Sequence, residues 1–306
     1  MKKMRLGTSN LEVPVVAIGC MRMNQLDEKG LADYIVQCME KGLNFFDHAD
    51  IYGAGECEEK FSVALRQAGI KREDVILQSK CGICPGKMYD LSKEHILESV
   101  EGILKRLNTE YIDVLALHRP DTLVEPEEVA AAFDILQNSG KVRHFGVSNY
   151  RPMQIELLKK YVKQDLIVNQ MQFSAAFSTM IASELEANML TEGAVDRDGG
   201  VLNYCRIHEM TMQAWSPFQY GFFEGVYIGS DKYPDLNLYL EELAKKYDTT
   251  PTAIATAWIL RHPARIQMVA GTTNIQRINE IVAGTEVTLS KEEWYKLYMN
   301  AGHILP

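Results

Sequence analysis

Phe45-Phe46-Asp47-His48-Ala49-Asp50-Ile51-Tyr52-Gly53 is an apolar run that stops on a carboxylate and then turns. Leu43 to Phe46 reads as a buried strand, Asp47 sits at its end, and Tyr52 opens the turn-like segment Tyr52-Gly53-Ala54-Gly55. A carboxylate at the end of a buried strand is costly unless a cation meets it. The fold must therefore deliver a cation to this point.

Similar short apolar runs recur outward from this one: Val15 to Gly19, Val75 to Lys80, Ile112 to His118, Val142 to Ser148, Leu166 to Gln170, Met210 to Ser216 and Gln267 to Gly271. Between them lie stretches with apolar residues three and four apart, including Leu31 to Lys41, Glu58 to Gln67, Lys93 to Leu107, Pro126 to Asn138 and Pro152 to Tyr161. Ser92 and Pro126 suit helix starts, and Gly42 and Gly140 suit stops. Strand and helix alternating eight times predict an α/β protein with a closed (β/α)8 TIM barrel. No linker, charge block or short repeat divides residues 1–306, which points to a single domain.

Ahead of the first run, Arg5 to Val13 carries Ser9-Asn10 between short extended pieces and is expected to form an N-terminal hairpin capping the barrel floor. Two connections are long, Met171 to Glu209 and Pro217 to about Pro234, and are expected as functional loops on the C-terminal face.

With 46% hydrophobic and 24% charged residues, the chain has the composition of a soluble globular protein. A formal net charge of -9 argues against a phosphate-backbone surface, so nucleic acid is not an expected partner. Neither a signal peptide nor a membrane span is evident, and six cysteines without a secretory signal read as reduced cytoplasmic thiols. Cys81-Gly82-Ile83-Cys84 has C-x-x-C spacing, but no second pair or C/H cluster in the sequence completes a zinc site.

The runs end on informative residues: Asp47, Lys80, His118, Ser148-Asn149, Asn169-Gln170, Trp215-Ser216 and Gly271-Thr272. In a barrel these ends converge on the face that carries active sites. Asp47, Lys80 and His118 at three consecutive strand ends, beside Tyr52, form a proton-transfer set. A phenol of pKa ~10 must be made more acidic to donate a proton near neutrality, and a nearby ammonium does so. Lys80 is the expected ammonium, Asp47 its counter-charge, and His118 the group that contacts a substrate oxygen or orients Tyr52.

At this point the sequence resembles the aldo-keto reductases over essentially its whole length, most closely the bacterial YdhF-type oxidoreductases. The motifs are Phe46-Asp47-His48-Ala49-Asp50-Ile51-Tyr52-Gly53, Ser79-Lys80-Cys81-Gly82-Ile83, Leu117-His118-Arg119-Pro120-Asp121, Gly140-Lys141-Val142-Arg143-His144-Phe145-Gly146-Val147-Ser148-Asn149, Asn169-Gln170 and Ala214-Trp215-Ser216-Pro217. The resemblance implies a catalytic tetrad of Asp47, Tyr52, Lys80 and His118.

No G-x-G-x-x-G or Walker A sequence is present. A barrel can instead bind phosphate at the loops after strands seven and eight, backed by a helix N-terminus. Gly271-Thr272-Thr273-Asn274 leads into a helical Ile275 to Val282, where backbone amides and two hydroxyls are expected to meet a phosphate. The resemblance implies that Arg277 binds a 2'-phosphate, hence NADPH (NADP+) as cofactor, with Glu280 among the cofactor-binding residues. It further implies Ser148, Asn149 and Gln170 on the nicotinamide carboxamide, Trp215 stacked on the ring, and Ser216, Pro217 and Phe218 over the pyrophosphate. Met21 and Arg22 are expected near the cofactor or the substrate mouth. Gly271 stands where many members carry Lys or Arg.

The expected function is NADPH-dependent reduction of aldehydes or ketones, with Tyr52 as proton donor, in a cytoplasmic monomer or weak homo-oligomer. The substrate is a small carbonyl compound held by Tyr52, His118, the two long connections and the tail bearing Trp294, Tyr295 and Tyr298. An NADPH-binding regulatory or sensor subunit is the alternative. A metal-dependent barrel hydrolase lacks support, because the seven histidines include no H-x-H or H-E-x-x-H and the nearest thing to a ligand pair is His48 beside Asp47.

Overall fold

The computed structural model describes residues 1–306. The alternation closes on itself as expected. Eight parallel strands, Val16–Gly19, Phe45–Asp47, Ile76–Cys81, Ile112–Leu117, Val142–Ser148, Leu166–Gln172, Thr211–Trp215 and Ile266–Ala270, pair each with the next. The eighth pairs back onto the first, Met268 opposite Val16 and Ala270 opposite Ile18. Parallel strands covered on both faces need near-continuous apolar character, which explains why the runs showed little alternation. The third strand runs one residue past Lys80 because Cys81 still pairs with Leu117.

Helices α1 (Glu28–Glu40), α2 (Glu56–Gln67), α3 (Lys93–Leu107), α4 (Pro126–Asn138) and α5 (Pro152–Lys159) follow the first five strands. The Ser92 hydroxyl accepts the His95 amide at 3.3 Å and caps α3, whose Ile96, Val100, Ile103 and Leu107 face the barrel. The first long connection folds into two short helices, α6 (Thr179–Leu185) and α7 (Val201–Ile207). The second, between the seventh strand and α8 (Pro234–Lys246), holds only a bridge between Gln219 and Val226. Helices α9 (Pro251–Leu260), α10 (Ile275–Gly284) and α11 (Lys291–Asn300) complete the ring. A small hairpin, Ile83–Cys84 with Met88–Tyr89, follows the third strand and was not anticipated. No helix is long and apolar enough to cross a membrane.

The N-terminal hairpin pairs Lys3–Arg5 with Glu12–Pro14. Its Leu6 and Val13 are fully buried with Ala17, Phe45, Val114, Ile167, Val168 and Val269, a plug separate from the main core. Gly7 has φ +54°, and a Cβ there would lie 2.3 Å from the Ile167 carbonyl oxygen. Gly7→Ala is therefore expected to lower unfolding free energy by about 2 kcal/mol or more, combining overpacking with a left-handed alanine. Urea denaturation checks this: the midpoint falls while the slope stays the same.

Candidate active site

Two-residue periodicity along the third strand turns Gln78 and Lys80 into the barrel and Ser79 outward, where its hydroxyl meets Glu58 at 2.7 Å. Lys80 is completely buried. Its Nζ lies 2.7 Å from Asp47 Oδ1, donates to the His48 carbonyl oxygen at 2.7 Å, and reaches the Tyr52 hydroxyl at 3.3 Å. Each of the three ammonium protons thus has an acceptor. Asp47 Oδ1 also accepts Gln78 Nε2 at 2.7 Å.

Gln78 begins a polar belt beneath this pair. Gln78 and Gln213 exchange amide hydrogen bonds at 2.8 and 3.1 Å, Gln213 donates to Gln267 at 2.9 Å, and Gln267 donates to the Pro14 carbonyl of the floor hairpin at 2.8 Å. Gln170 joins by donating to Gln213 at 3.1 Å. The carboxylate is thereby tied to the barrel floor through fully paired amides.

Burial governs the titration of the group. Desolvation raises the Tyr52 phenol above its ordinary value, the Lys80 ammonium opposes it, and Asp47 adds to the rise. The expected net acidification of Tyr52 is therefore not found in the free protein: Lys80 limits the effect of burial without reversing it. Desolvation pulls the Lys80 ammonium down, but Asp47 and Tyr52 more than restore it, so it is held charged. His118 is driven well below the ordinary histidine range by burial and then by Lys80 and Arg119, so its ring is neutral. Its ring stands edge-on to Tyr52 with centroids 5.9 Å apart, and its buried Nδ1 has no partner.

Asp47, Tyr52 and His118 line a cavity of about 820 Å³ at the C-terminal ends of the strands. Met21, Arg22, Ser148, Asn149, Gln170, Trp215, Ser216, Pro217, Phe218, Gly271, Thr272, Thr273 and Arg277 also line it. Asn149 and Ser216 hold left-handed backbone, φ +62° and +50°, at the ends of the fifth and seventh strands. Such strain concentrates where side chains must be aimed. The Trp215 indole donates to Asn149 Oδ1 at 3.1 Å, and Asn149 Nδ2 donates to the Ser148 hydroxyl at 2.8 Å.

At the eighth strand the arrangement differs from the expectation of free helix amides. Asn274 Oδ1 accepts the Gln276 and Arg277 amides, capping α10, and Thr272 Oγ1 accepts the Asn274 amide. The Arg22 guanidinium is anchored on the Gly271 carbonyl at 3.0 Å. The exposed Arg277 guanidinium makes no ion pair or hydrogen bond within the chain and remains the open cation at this end.

Several expected positions lie elsewhere. Glu280 is on α10 but outside the cavity wall, which Ile281 reaches instead, because adjacent helical residues point about 100° apart. Nothing from Met171 to Glu209 lines the cavity. The tail is also absent from it: Trp294 stacks on Trp258 at 4.8 Å, and each indole donates to the other's backbone carbonyl. Those aromatics dock α11 on α9.

His48 is buried edge-on to Phe61, with neither ring nitrogen bonded, and burial lowers its pKa to about 3. It forms no ligand pair with Asp47. Asp50 turns away from the cavity, and burial, reinforced by Glu58, raises it to about 7. Cys81 and Cys84 are free thiols, both raised first by burial. Folding does bring Cys84 a neighbour that the sequence concealed: its sulfur lies 4.0 Å from His95 Nε2, with Asp90 close by. That trio sits at the N-terminus of α3, whose dipole opposes a cation.

The residue pattern did not single out the belt glutamines Gln78, Gln213 and Gln267 or the cavity residues Ile51, Ile83, Tyr89 and Arg119, whereas Phe222 and Phe223 fall in the Pro217 to Pro234 connection and Asn274 in the Gly271 to Asn274 loop, both expected at the site. The belt had a signal. A glutamine two residues before Lys80 and before Trp215 shares the inward face of an otherwise apolar strand.

Residues 15–298 match the model of the aldo/keto reductase family. The chain is 35% identical to the uncharacterized oxidoreductase YcsN of Bacillus subtilis, covering 94% of each. It is 34% identical to a 6-dehydroglucose reductase of Agrobacterium fabrum, covering 86% of this chain and 85% of the relative. With the oxidoreductase YdhF of Escherichia coli it shares 31% identity over 89% of this chain and 87% of that one. The barrel superposes on a thermostable aldo-keto reductase solved with the inhibitor epalrestat, at TM-score 0.77 and 24% identity over 98% of this chain and 100% of that one. The closed parallel barrel and these similarities together establish that the chain belongs to the aldo/keto reductase family.

Proposed function

We propose that this protein is a cytoplasmic NADPH-dependent carbonyl reductase in which Tyr52 protonates the carbonyl oxygen. The observation that carries the reading is the buried Lys80 ammonium bridging the Asp47 carboxylate and the Tyr52 hydroxyl at the cavity wall. As the phenol gives up its proton, the phenolate forms beside a fixed positive charge in a dry site, where that charge acts most strongly. His118, neutral and with no hydrogen bond from its ring, is suited to orient the carbonyl without competing as a proton donor.

The residues present fit the cofactor. One end of the cavity offers the unpaired Arg277 with Thr272 and Thr273, an oxyanion-binding set. The other offers the flat face of Trp215 beside Asn149 and Gln170, next to Tyr52 and His118. NADPH supplies the hydride when bound. Arg277 would hold its 2'-phosphate, and Ser148, Asn149 and Gln170 would orient its carboxamide.

The relatives favour reduction of a sugar aldehyde or similar small carbonyl compound, since two carry the name 6-dehydroglucose reductase. Another relative, 28% identical, is named a probable voltage-gated potassium channel subunit beta, which supports the alternative of a cofactor-binding regulatory subunit. Steady-state NADPH oxidation with a panel of aldehydes separates the two, because a sensor binds NADPH without turnover.

Tyr52→Phe should lower kcat by about 100-fold or more with NADPH binding retained; near-normal turnover would remove Tyr52 from the chemistry. Arg277→Met should weaken NADPH binding about tenfold or more with little change for NADH, and equal losses would refute the 2'-phosphate contact. Because the Tyr52 pKa is raised, the protonated donor persists through neutrality. The kcat/KM profile for reduction should fall only above the ordinary phenol value of about 10, and an alkaline limb below that value would contradict the assignment.

A further inference from the structure

Arg119 takes no part in the Lys80–Asp47–Tyr52 cluster or in the Thr272–Arg277 end of the cavity. It follows His118 at the end of the fourth strand, lines the cavity and is half-buried. Every other partly buried guanidinium has a partner within the chain: Arg72 pairs with Asp113 and Arg106 with Glu58, while Arg22 and Arg261 donate to the Gly271 and Leu289 carbonyls. The Arg119 guanidinium makes no ion pair and donates no hydrogen bond within the chain. Its backbone is nevertheless held, since the Tyr150 hydroxyl donates to the Arg119 carbonyl oxygen at 3.3 Å. Burial lowers the guanidinium's pKa, opposed by the Tyr89 phenol. A positioned, partly desolvated guanidinium facing an open cavity without a counter-charge is suited to a ligand that brings one.

Barrel geometry separates this cation from the cofactor end. In the closed strand order the fourth strand lies four steps from the eighth in either direction, so Arg119 stands across the cavity from Thr272 and Arg277. The loops after the second and third strands add Ile51, Ile83 and Tyr89 to the same cavity wall, an apolar and aromatic contribution beside the polar strand ends.

We propose that Arg119 is a specificity residue that binds a carboxylate carried by the substrate, so that preferred substrates are aldehydes or ketones with an apolar body and an anionic end. This rests on the carbonyl-reductase reading. In this arrangement the carbonyl lies at Tyr52 and His118 while the carboxylate forms a charge-assisted, bidentate contact with the guanidinium on the side away from the cofactor.

The test compares NADPH oxidation with 4-carboxybenzaldehyde and with its neutral methyl ester, methyl 4-formylbenzoate. The wild-type protein is expected to favour the acid in kcat/KM by about tenfold or more. Arg119→Gln should abolish that preference, chiefly through KM, and Arg119→Lys should restore part of it. Lack of preference in the wild type, or equal losses for both substrates in Arg119→Gln, overturns the proposal. Parallel loss of NADPH affinity would assign Arg119 to the cofactor and also overturn it. If Arg119→Gln does not fold, the wild-type preference must still shrink with added salt, and a salt-independent preference counts against the contact. Should the wild type reduce neither aldehyde, the activity reading fails on its own. Calorimetric binding of 4-(hydroxymethyl)benzoate, tighter than its methyl ester in wild type but not in Arg119→Gln, would then still support the subsite, and equal binding would refute it.

Discussion

A lysine with no solvent exposure is tolerable only if its charge is fully met, and the site is built around that condition. Lys80 and Asp47 attract each other by roughly 6 kcal/mol at the 2.7 Å separation if the effective dielectric is about 20. Removing each ion from water costs several kcal/mol, so the pair roughly breaks even as a stabilising element. What the pair does is hold a positive charge against Tyr52 in a place from which water is excluded. Losing either partner would strand the other, at about 3–5 kcal/mol, which binds the fold and the chemistry to the same contact.

That contact depends on barrel closure. Asp47 comes from the second strand and Lys80 from the third, and Asp47 is steadied by Gln78, which reaches Gln213 on the seventh strand and through it Gln267 on the eighth. Gln267 ends on the Pro14 carbonyl of the floor hairpin. A polar chain thus crosses the barrel interior, each amide satisfied by the next. Unsatisfied, the same groups would each cost about 1–3 kcal/mol.

The same burial assigns different roles to neighbouring residues. His118 is kept neutral at the cavity, whereas His48, also neutral, packs against Phe61 out of reach of any ligand. Asp47 meets a cation inside the barrel. Asp50, three residues on, lies outside the cavity wall, and burial, reinforced by Glu58, raises it to about 7. Tyr52 shows the competition most clearly: desolvation and Asp47 push its phenol up against the pull of Lys80.

Much of this was legible in the residues themselves. Apolar runs of buried-strand length, separated by helices with their own caps, require a closed parallel barrel, and period-two geometry places the strand-end Asp47, Lys80 and His118 on one rim. Local pattern could not reach contacts between distant segments. Trp294 and Tyr298 read as pocket aromatics until α11 was seen to dock on α9, and the Met171 to Glu209 connection folded away into α6 and α7. Glu280 missed the cavity by one helical step, and Arg119, adjacent in sequence to His118, is marked out only by the folded arrangement, in which no carboxylate pairs with it and Asp47 in the same wall is taken by Lys80. Which strands exist and which side chains crown them follows from periodicity and burial, and is therefore readable in the residues alone. Tertiary structure alone decided which charges are paired, which are left open and which way the Tyr52 pKa moves, because those depend on distances across the barrel.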